Sequence, residues 1–166
     1  QGGSSLTQQY VKNVLMSEAE EDDDPIAVYH AQEETVARKM REMLIAVQME
    51  KKYTKAEILQ GYLNIAQFGN GIYGVETAAQ RFFNKSAKDL NVVESATIAA
   101  ITKNPTGYDP TSNPKESQEQ RNIVLDLMYQ QGYITKKQRD EAKATPIAST
   151  LHVQSVAAGC QASRYA

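Results

Sequence analysis

The sequence has few of the residues that build disulfide-rich or membrane-spanning proteins. It contains one cysteine, Cys160, which is either a reduced thiol or half of a pair with a cysteine elsewhere. No apolar run approaches the roughly 20 residues that a membrane-spanning helix needs, and no signal-peptide pattern opens the chain. The first residue is not methionine, and we expect the chain to be a fragment or a processed product, so the absence of an anchor here does not bear on the parent protein.

The net charge of −2 hides an acidic run. The segment from Glu18 to Asp24 holds six acidic residues, and the rest of the chain carries 18 basic residues against 14 acidic ones. This mildly basic remainder favours an anionic ligand. The run lacks the glycine and the ligand spacing of a calcium-binding loop, so we expect a solvated loop from Glu18 to Pro25.

Helical periodicity extends over most of the 166 residues, which predicts an all-α fold. Capping pairs mark three helix starts: Thr54 with Glu57, Asn91 with Glu94, and Thr135 with Gln138. Glycine and proline predict a break at 68–74 and a long loop at 104–114. Asn113 and Pro114 predict the start of another helix, which Gly132 ends. After Pro146 the alternating pattern indicates a strand or a linker.

The first dozen residues, QGGSSLTQQYVK, combine glycines, hydroxyls, amides and a lysine. A glycine turn that runs into a helix N-terminus suits a phosphate or a sugar phosphate. Gln8 and Lys12 share a helix face, and Gln9 lies beside them. The order of glycine, lysine and hydroxyl is not that of a P-loop. A capped surface helix with solvated polar residues explains the same composition.

The helix predicted from Glu34 to Lys51 has an apolar stripe and a carboxylate, Glu42, that points away from it. The stripe consists of Val36, Met40, Met43, Leu44 and Val47. Ile45 and Met49 lie on the side of Glu42, so the helix is apolar on two sides and we expect it to be buried. Glu42 is then a partly desolvated carboxylate near Arg38 and Arg41, or else half of an ordinary intrahelical pair with Arg38.

The next helix begins among Lys51, Lys52 and Lys55, where an anion meets both ammonium groups and the positive helix end. Asn64 ends this helix near the glycine-rich break. We interpret Asn64 as a structural residue.

Taken in order, these segments resemble glycosyltransferase family 51, the peptidoglycan glycosyltransferases of class A penicillin-binding proteins. The second family motif, GGSTxTQQ, is matched by residues 2–9, with Ser5 in place of threonine. The third, RKxxE, is matched by residues 38–42. The fourth, KxxILxxYLN, is matched by residues 55–64, and the fifth, RxxxVL, by Arg121, Val124 and Leu125. The acidic insertion resembles the actinobacterial branch.

The resemblance implies a partial lysozyme-like fold. It places the C-terminal portion of a glycosyltransferase domain at 1–147 and a linker towards a transpeptidase domain at 148–166. The first family motif, EDxxFxxHxG, carries the catalytic base glutamate and is absent from the 166 residues. We therefore expect an N-terminally truncated domain that is inactive alone.

The resemblance also implies a reaction and roles for residues. Family members polymerise lipid II into glycan strands and release undecaprenyl pyrophosphate. Glu42 is the implied second active-site carboxylate, which either orients donor-side groups or assists the departing phosphate. The implied pyrophosphate contacts are Lys12, Arg38, Lys39 and Lys55. The implied hydrogen-bonding residues are Ser4, Gln8 and Gln9. Asn64 and Arg121 are expected to hold the fold around the site.

The implied partners are lipid II, the growing glycan chain, the membrane surface and an attached transpeptidase domain, and no nucleic acid. No cofactor is required, although the chemistry allows a divalent cation, Mg or Mn, at the pyrophosphate. The implied location is the outer face of the plasma membrane, with an N-terminal transmembrane anchor outside these residues.

Two other classes remain as alternatives. A lysozyme-like hydrolase or lytic transglycosylase would share the helices and a catalytic glutamate but would need no pyrophosphate pocket. A non-catalytic helical binding module would tolerate replacement of Lys12 or Glu42. Neither alternative explains all four motifs.

Overall fold

The computed structural model describes residues 4–23, 25–32 and 35–153. Gly2, Gly3 and Cys160 therefore lie outside the described residues, as does most of the predicted linker. The chain divides into two compact units, Gln1–Ala66 and Gln67–Ala166.

The described residues of the first unit form four α-helices with short connections. Its helices are α1 (Leu6–Glu21), α2 (Pro25–Gln32), α3 (Val36–Lys52) and α4 (Lys55–Ile65). Helix α1 packs against the other three. The hydroxyls of Ser5, Thr35 and Thr54 cap α1, α3 and α4 by accepting a hydrogen bond from a backbone N–H three residues on. The predicted cap at Thr54 is thus confirmed.

The acidic run is helical over most of its length, and the predicted loop is wrong there. Helix α1 continues through Glu18 and Glu20 to Glu21. Glutamate and alanine are good helix formers, and Ala19 in this turn is buried. Asp22 is the C-cap of α1, and Asp23 follows with a left-handed φ of 50°. The break between α1 and α2 is therefore shorter than the charge pattern indicates.

The second unit starts with a small antiparallel hairpin, β1 (Gln67–Gly69) and β2 (Ile72–Tyr73). It lies where the sequence predicts a glycine-rich break. Gly71, with φ of +70°, takes the left-handed conformation that the turn requires.

Four α-helices and two short 3-10 helices follow within the described part of this unit. They are α5 (Val75–Phe83), a 3-10 turn at Ala87–Asp89, α6 (Val92–Ile101), α7 (Pro114–Gln130), α8 (Lys136–Ala144) and a 3-10 turn at Ile147–Ser149. The capping boxes of Asn91 with Glu94 and of Thr135 with Gln138 are confirmed. Pro114 opens α7 as predicted.

The core of the second unit forms where α6, α7 and α8 meet. Ala96, Leu125, Ile134 and Ala142 make one buried cluster. Phe82 and Phe83 of α5 are also buried, with ring centroids 6.3 Å apart in an edge-to-face arrangement. The all-α prediction is confirmed, with the hairpin as a minor addition. The strand considered after Pro146 does not form at 147–153, where a 3-10 turn leads into irregular chain.

Candidate functional site

The N-terminus of α1 is fixed by a reciprocal cap. The Ser5 hydroxyl accepts a hydrogen bond from the Gln8 backbone N–H at 3.2 Å, and the Gln8 side-chain oxygen accepts one from the Ser5 N–H at 3.0 Å. This capping box satisfies two N–H groups that a helix start leaves free. Ser5, and not Ser4, is therefore the N-cap of α1. The Gln8 oxygen is engaged in the cap, so its NH₂ is the group left for a ligand.

Ser4, which the cap does not use, is joined to α3. Its hydroxyl accepts a hydrogen bond from Lys39 Nζ at 2.6 Å. Gln9 lies next to this contact, with its NH₂ donating to the Ser4 carbonyl at 3.5 Å and its oxygen accepting from the Tyr62 hydroxyl at 3.4 Å. The second, third and fourth motifs therefore meet around Ser4 and Gln9.

Glu42 lies at the centre of a cluster of charged side chains on α3. Its side chain is 2% exposed, and one carboxylate oxygen accepts a hydrogen bond from Arg38 Nη1. The other oxygen lies 3.7 Å from Lys39 Nζ. Arg38 is buried as well, whereas Lys39 is 52% exposed. A carboxylate this deeply buried requires charge pairing, and here two cations one turn away supply it.

The apolar stripe of α3 is exposed, and the prediction that both sides of the helix are buried is wrong. Val36 is 78% and Leu44 is 64% exposed, and Met40, Met43 and Val47 are exposed too. The packed side is instead the one that carries Arg38, Glu42 and Ala46. Ser4, which precedes α1, and Thr7 of α1 make hydrogen bonds to Lys39 and Glu50 of α3. Periodicity found the stripe correctly but could not show which face the neighbouring helices cover.

Three other predicted site residues in the first unit are exposed. Lys12 lies on α1, Lys55 is the first residue of α4, and Asn64 lies in the last turn of α4. Within the described ranges, none of them has a hydrogen bond or ion pair to the Glu42 cluster. Their predicted roles stay predictions.

Arg121 belongs to the second unit and is fully buried. Its Nη1 donates to the Thr145 carbonyl at 2.9 Å, and its Nε and Nη2 donate to the Asn122 side-chain oxygen. Burial lowers the pKa of the Arg121 guanidinium. These bonds tie α7 to the end of α8.

One polar link in the first unit was missed from the sequence. The Thr7 hydroxyl donates to Glu50 Oε1 at 2.6 Å. Glu50 follows Glu42 by eight residues, so the two carboxylates lie on similar faces of α3. The spacing from Glu42 could have indicated that Glu50 shares its helix face. Nothing in the local sequence pattern, however, predicts a contact between Glu50 and Thr7, which lies 43 positions earlier.

Comparison with known proteins places this site in a family. The family model described as Transglycosylase matches residues 1–129. The chain is 42% identical over 151 residues to Penicillin-binding protein 1A of Streptococcus oralis, covering 91% of this chain and 22% of that protein. It is 37% identical over 154 residues to Penicillin-binding protein 1F of Bacillus subtilis, covering 93% and 19%.

A solved structure agrees. The crystal structure of Penicillin-Binding Protein 1A from Haemophilus influenzae matches with a TM-score of 0.53 and 26% identity, over 89% of this chain and 17% of that one. The chain thus spans about a fifth of the length of these relatives. The lysozyme-like glycosyltransferase fold is confirmed. The chain belongs to the transglycosylase family, glycosyltransferase family 51, whose members here are penicillin-binding proteins.

Proposed function

We propose that the chain is part of a peptidoglycan glycosyltransferase that polymerises lipid II into glycan strands and releases undecaprenyl pyrophosphate. The observation that carries this proposal is the buried Glu42 carboxylate with Arg38 and Lys39 on its two oxygens. Lys39 also reaches Ser4 of the glycine–serine segment. A lytic enzyme cleaves glycan and releases no pyrophosphate, so it has no use for a cluster of cations beside the carboxylate.

The proposed reaction requires charge stabilisation on the leaving side. The 4-hydroxyl oxygen of the acceptor sugar forms a bond to the anomeric carbon of the growing chain as the bond from that carbon to the pyrophosphate oxygen breaks. The hydroxyl proton passes to a carboxylate base. The pyrophosphate takes the electron pair and leaves as an anion, so it needs cations and N–H donors more than a proton.

Lys39 fits the leaving-group side of this reaction. Its side chain is half-exposed, so a ligand can reach it, and its Nζ contacts both Glu42 and Ser4. Arg38 lies deeper, against Glu42. The carboxylate is thus paired with two cations, of which Lys39 is the more exposed.

Glu42 is then a residue that orients the cations. Both of its oxygens face cationic partners, which leaves it less room to take a proton from a hydroxyl. Of the two roles that the resemblance leaves open, we propose the first, in which Glu42 fixes the groups that hold the donor pyrophosphate. The base belongs to the first family motif, and we expect a polypeptide of only these 166 residues to form no glycan.

A divalent cation is a poor fit to the side chains of this site. Within the described residues, no group of three or more acidic, histidine or cysteine side chains comes together to hold a metal ion. The one buried carboxylate of the cluster is already paired with Arg38 and Lys39. Any metal at the pyrophosphate would depend on phosphate and water oxygens, and no step here runs through it.

We propose the membrane surface and an attached transpeptidase domain as the remaining partners, at the outer face of the plasma membrane. The exposed apolar face of α3 supports a membrane contact. Among the described helices, none has the length and apolar character needed to span a bilayer. The relatives named penicillin-binding proteins, which are about five times longer than their match to this chain, support a second domain.

Glu42→Gln in the intact protein tests the function. The substitution keeps the shape but removes the charge that holds Arg38 and Lys39, so we expect polymerisation of labelled lipid II to fall by about a thousandfold or more. Glu18→Gln, in the exposed acidic run, is the matched control and should keep wild-type turnover. Wild-type turnover in Glu42→Gln with a retained fold would contradict the proposal.

A further inference from the structure

Thr7 of α1 and Glu50 form a second polar link to α3, besides the one between Ser4 and Lys39. Thr7 is only 6% exposed, and its hydroxyl donates to Glu50 Oε1 at 2.6 Å. Hydrogen bonds to a charged acceptor are shorter and about twice as strong as those between neutral groups. Glu50 itself lies at an exposed position, outside every motif that identifies the family.

The location of Glu50 also suits the helix that it contacts. Thr7 is the second residue of α1, and α1 has no acidic residue in its first turn. The carboxylate of Glu50 therefore supplies, from another helix, the negative charge that stabilises a helix N-terminus. The contact therefore contributes more to the stability of this region than the packing of a hydroxyl alone would.

The link acts on the segment that carries the candidate ligand-binding residues. Thr7 lies between Ser4, which contacts Lys39, and Gln9, which contacts Tyr62. The ring of Tyr10, the next residue, occupies the space beside Gly61, where an added Cβ would lie 2.5 Å from the hydroxyl oxygen. The first two turns of α1 are thus located against α4 on one side and against α3 on the other.

We propose that Thr7 and Glu50 are a positioning pair for the transferase site, an inference that rests on the proposed function. Glu42, Ala46 and Glu50 follow each other at intervals of four on α3, the spacing of one helix face. The bond at Glu50 fixes where α1 lies along that face, and so keeps Ser4 within reach of Lys39. In this role Thr7 and Glu50 do not contact the substrate and act through Ser4 and Lys39.

The pair predicts a particular kinetic defect. A displacement of about 1 Å in a positioning element can cost up to about 100-fold in rate. Thr7→Val keeps the shape of the side chain but removes the donor, so we expect kcat to fall about tenfold or more per folded molecule. Lys39 and Arg38 remain in place, so we expect KM for lipid II to stay within about threefold of the wild-type value.

The experiment measures steady-state polymerisation of lipid II by the intact protein, with the folded fraction determined for each variant. Thr7→Ser should restore kcat, because it restores the hydroxyl. Glu50→Ala should match Thr7→Val, and the double variant should be no slower than either single one, since both remove the same bond. Gln48→Ala, at an exposed position on the same helix, should behave as the wild type.

Two results would overturn the inference in distinguishable ways. Wild-type kcat in folded Thr7→Val and Glu50→Ala, with Glu42→Gln inactive, would remove the pair from the site and leave the proposed function standing. Wild-type turnover in Glu42→Gln would remove the proposed function and this inference together. If Thr7→Val folds poorly, Glu50→Ala carries the test from its exposed position.

Discussion

The two units of the chain distribute apolar and charged residues differently. In the second unit, Leu125, Ile101 and the Phe82–Phe83 pair are fully buried. In the first unit, the buried face of α3 carries Arg38 and Glu42, while its apolar face is exposed. A helix that buries ions and exposes methionine and leucine gains little stability from its own sequence, and we attribute this arrangement to function.

Both units bury charged side chains, so buried charge alone does not distinguish the first unit from the second. Glu94 is also buried there, but it caps α6 and pairs with Lys85 Nζ at 2.7 Å. Both of these contacts of Glu94 stabilise the fold itself. Lys85 is itself 39% exposed, so an accessible cation is common to both carboxylates. What distinguishes Glu42 is that its two oxygens face two cations, Arg38 and Lys39. Glu94, by contrast, pairs with Lys85 and caps a helix.

The largest expected effect comes from removing the buried cation of the first unit. Arg38→Met leaves Glu42 buried beside a single, more distant cation, and breaking a buried pair costs about 3–5 kcal/mol. We expect the local free energy of unfolding of α3, measured by hydrogen exchange, to fall by that amount, and polymerisation to be lost. Arg41→Met, at an exposed neighbouring position, should change neither. Equal hydrogen exchange of α3 in Arg38→Met and Arg41→Met would show that the Arg38–Glu42 pair contributes nothing to the stability of the helix.

Two leucines offer a direct comparison of the units. Leu125→Ala opens a cavity in the core of the second unit and should destabilise α6 and α7 by about 2–5 kcal/mol. Leu44→Ala, at a position that is 64% exposed, should change stability by no more than about 0.5 kcal/mol. The measurement is hydrogen exchange of the two segments. A comparable loss at Leu44 would mean that the α3 face is covered.

The exposed apolar residues of α3 and those of α7 should also differ in their affinity for membranes. Replacing Met40 and Leu44 with serine removes apolar surface that is worth about 1.5–3 kcal/mol per fully buried side chain. We expect binding of the complete glycosyltransferase domain, prepared without any membrane-spanning segment, to vesicles of anionic phospholipid to weaken about tenfold. Ile123 and Leu127, exposed on α7, provide the matched double replacement, which should leave binding unchanged. Equal weakening by both pairs would contradict a membrane role specific to α3.

Local signals predicted more of this structure than long-range ones did. The caps at Thr54, Asn91 and Thr135 are confirmed because a capping box depends on residues three positions apart. The Arg38–Glu42 pair followed from helix geometry for the same reason.

Apart from the acidic run, where local helix propensity continues α1 to Glu21, the predictions that failed depended on tertiary packing. The Thr7–Glu50 and Lys39–Ser4 contacts join residues 43 and 35 positions apart, and no periodicity encodes them. The exposure of the α3 stripe depends equally on which face α1 covers. The motif order, by contrast, identified the family, since four spaced signatures constrain far more than composition does.

If Lys39, held by Glu42 and Ser4, receives the diphosphate, its replacement should weaken the binding of the released product. The measurement is calorimetric binding of undecaprenyl pyrophosphate in detergent to the intact protein, comparing Lys39→Met with Lys136→Met, at an exposed position on α8. We expect binding about tenfold weaker or more for Lys39→Met and unchanged for Lys136→Met. Equal affinity in the wild type and Lys39→Met would contradict this role of Lys39.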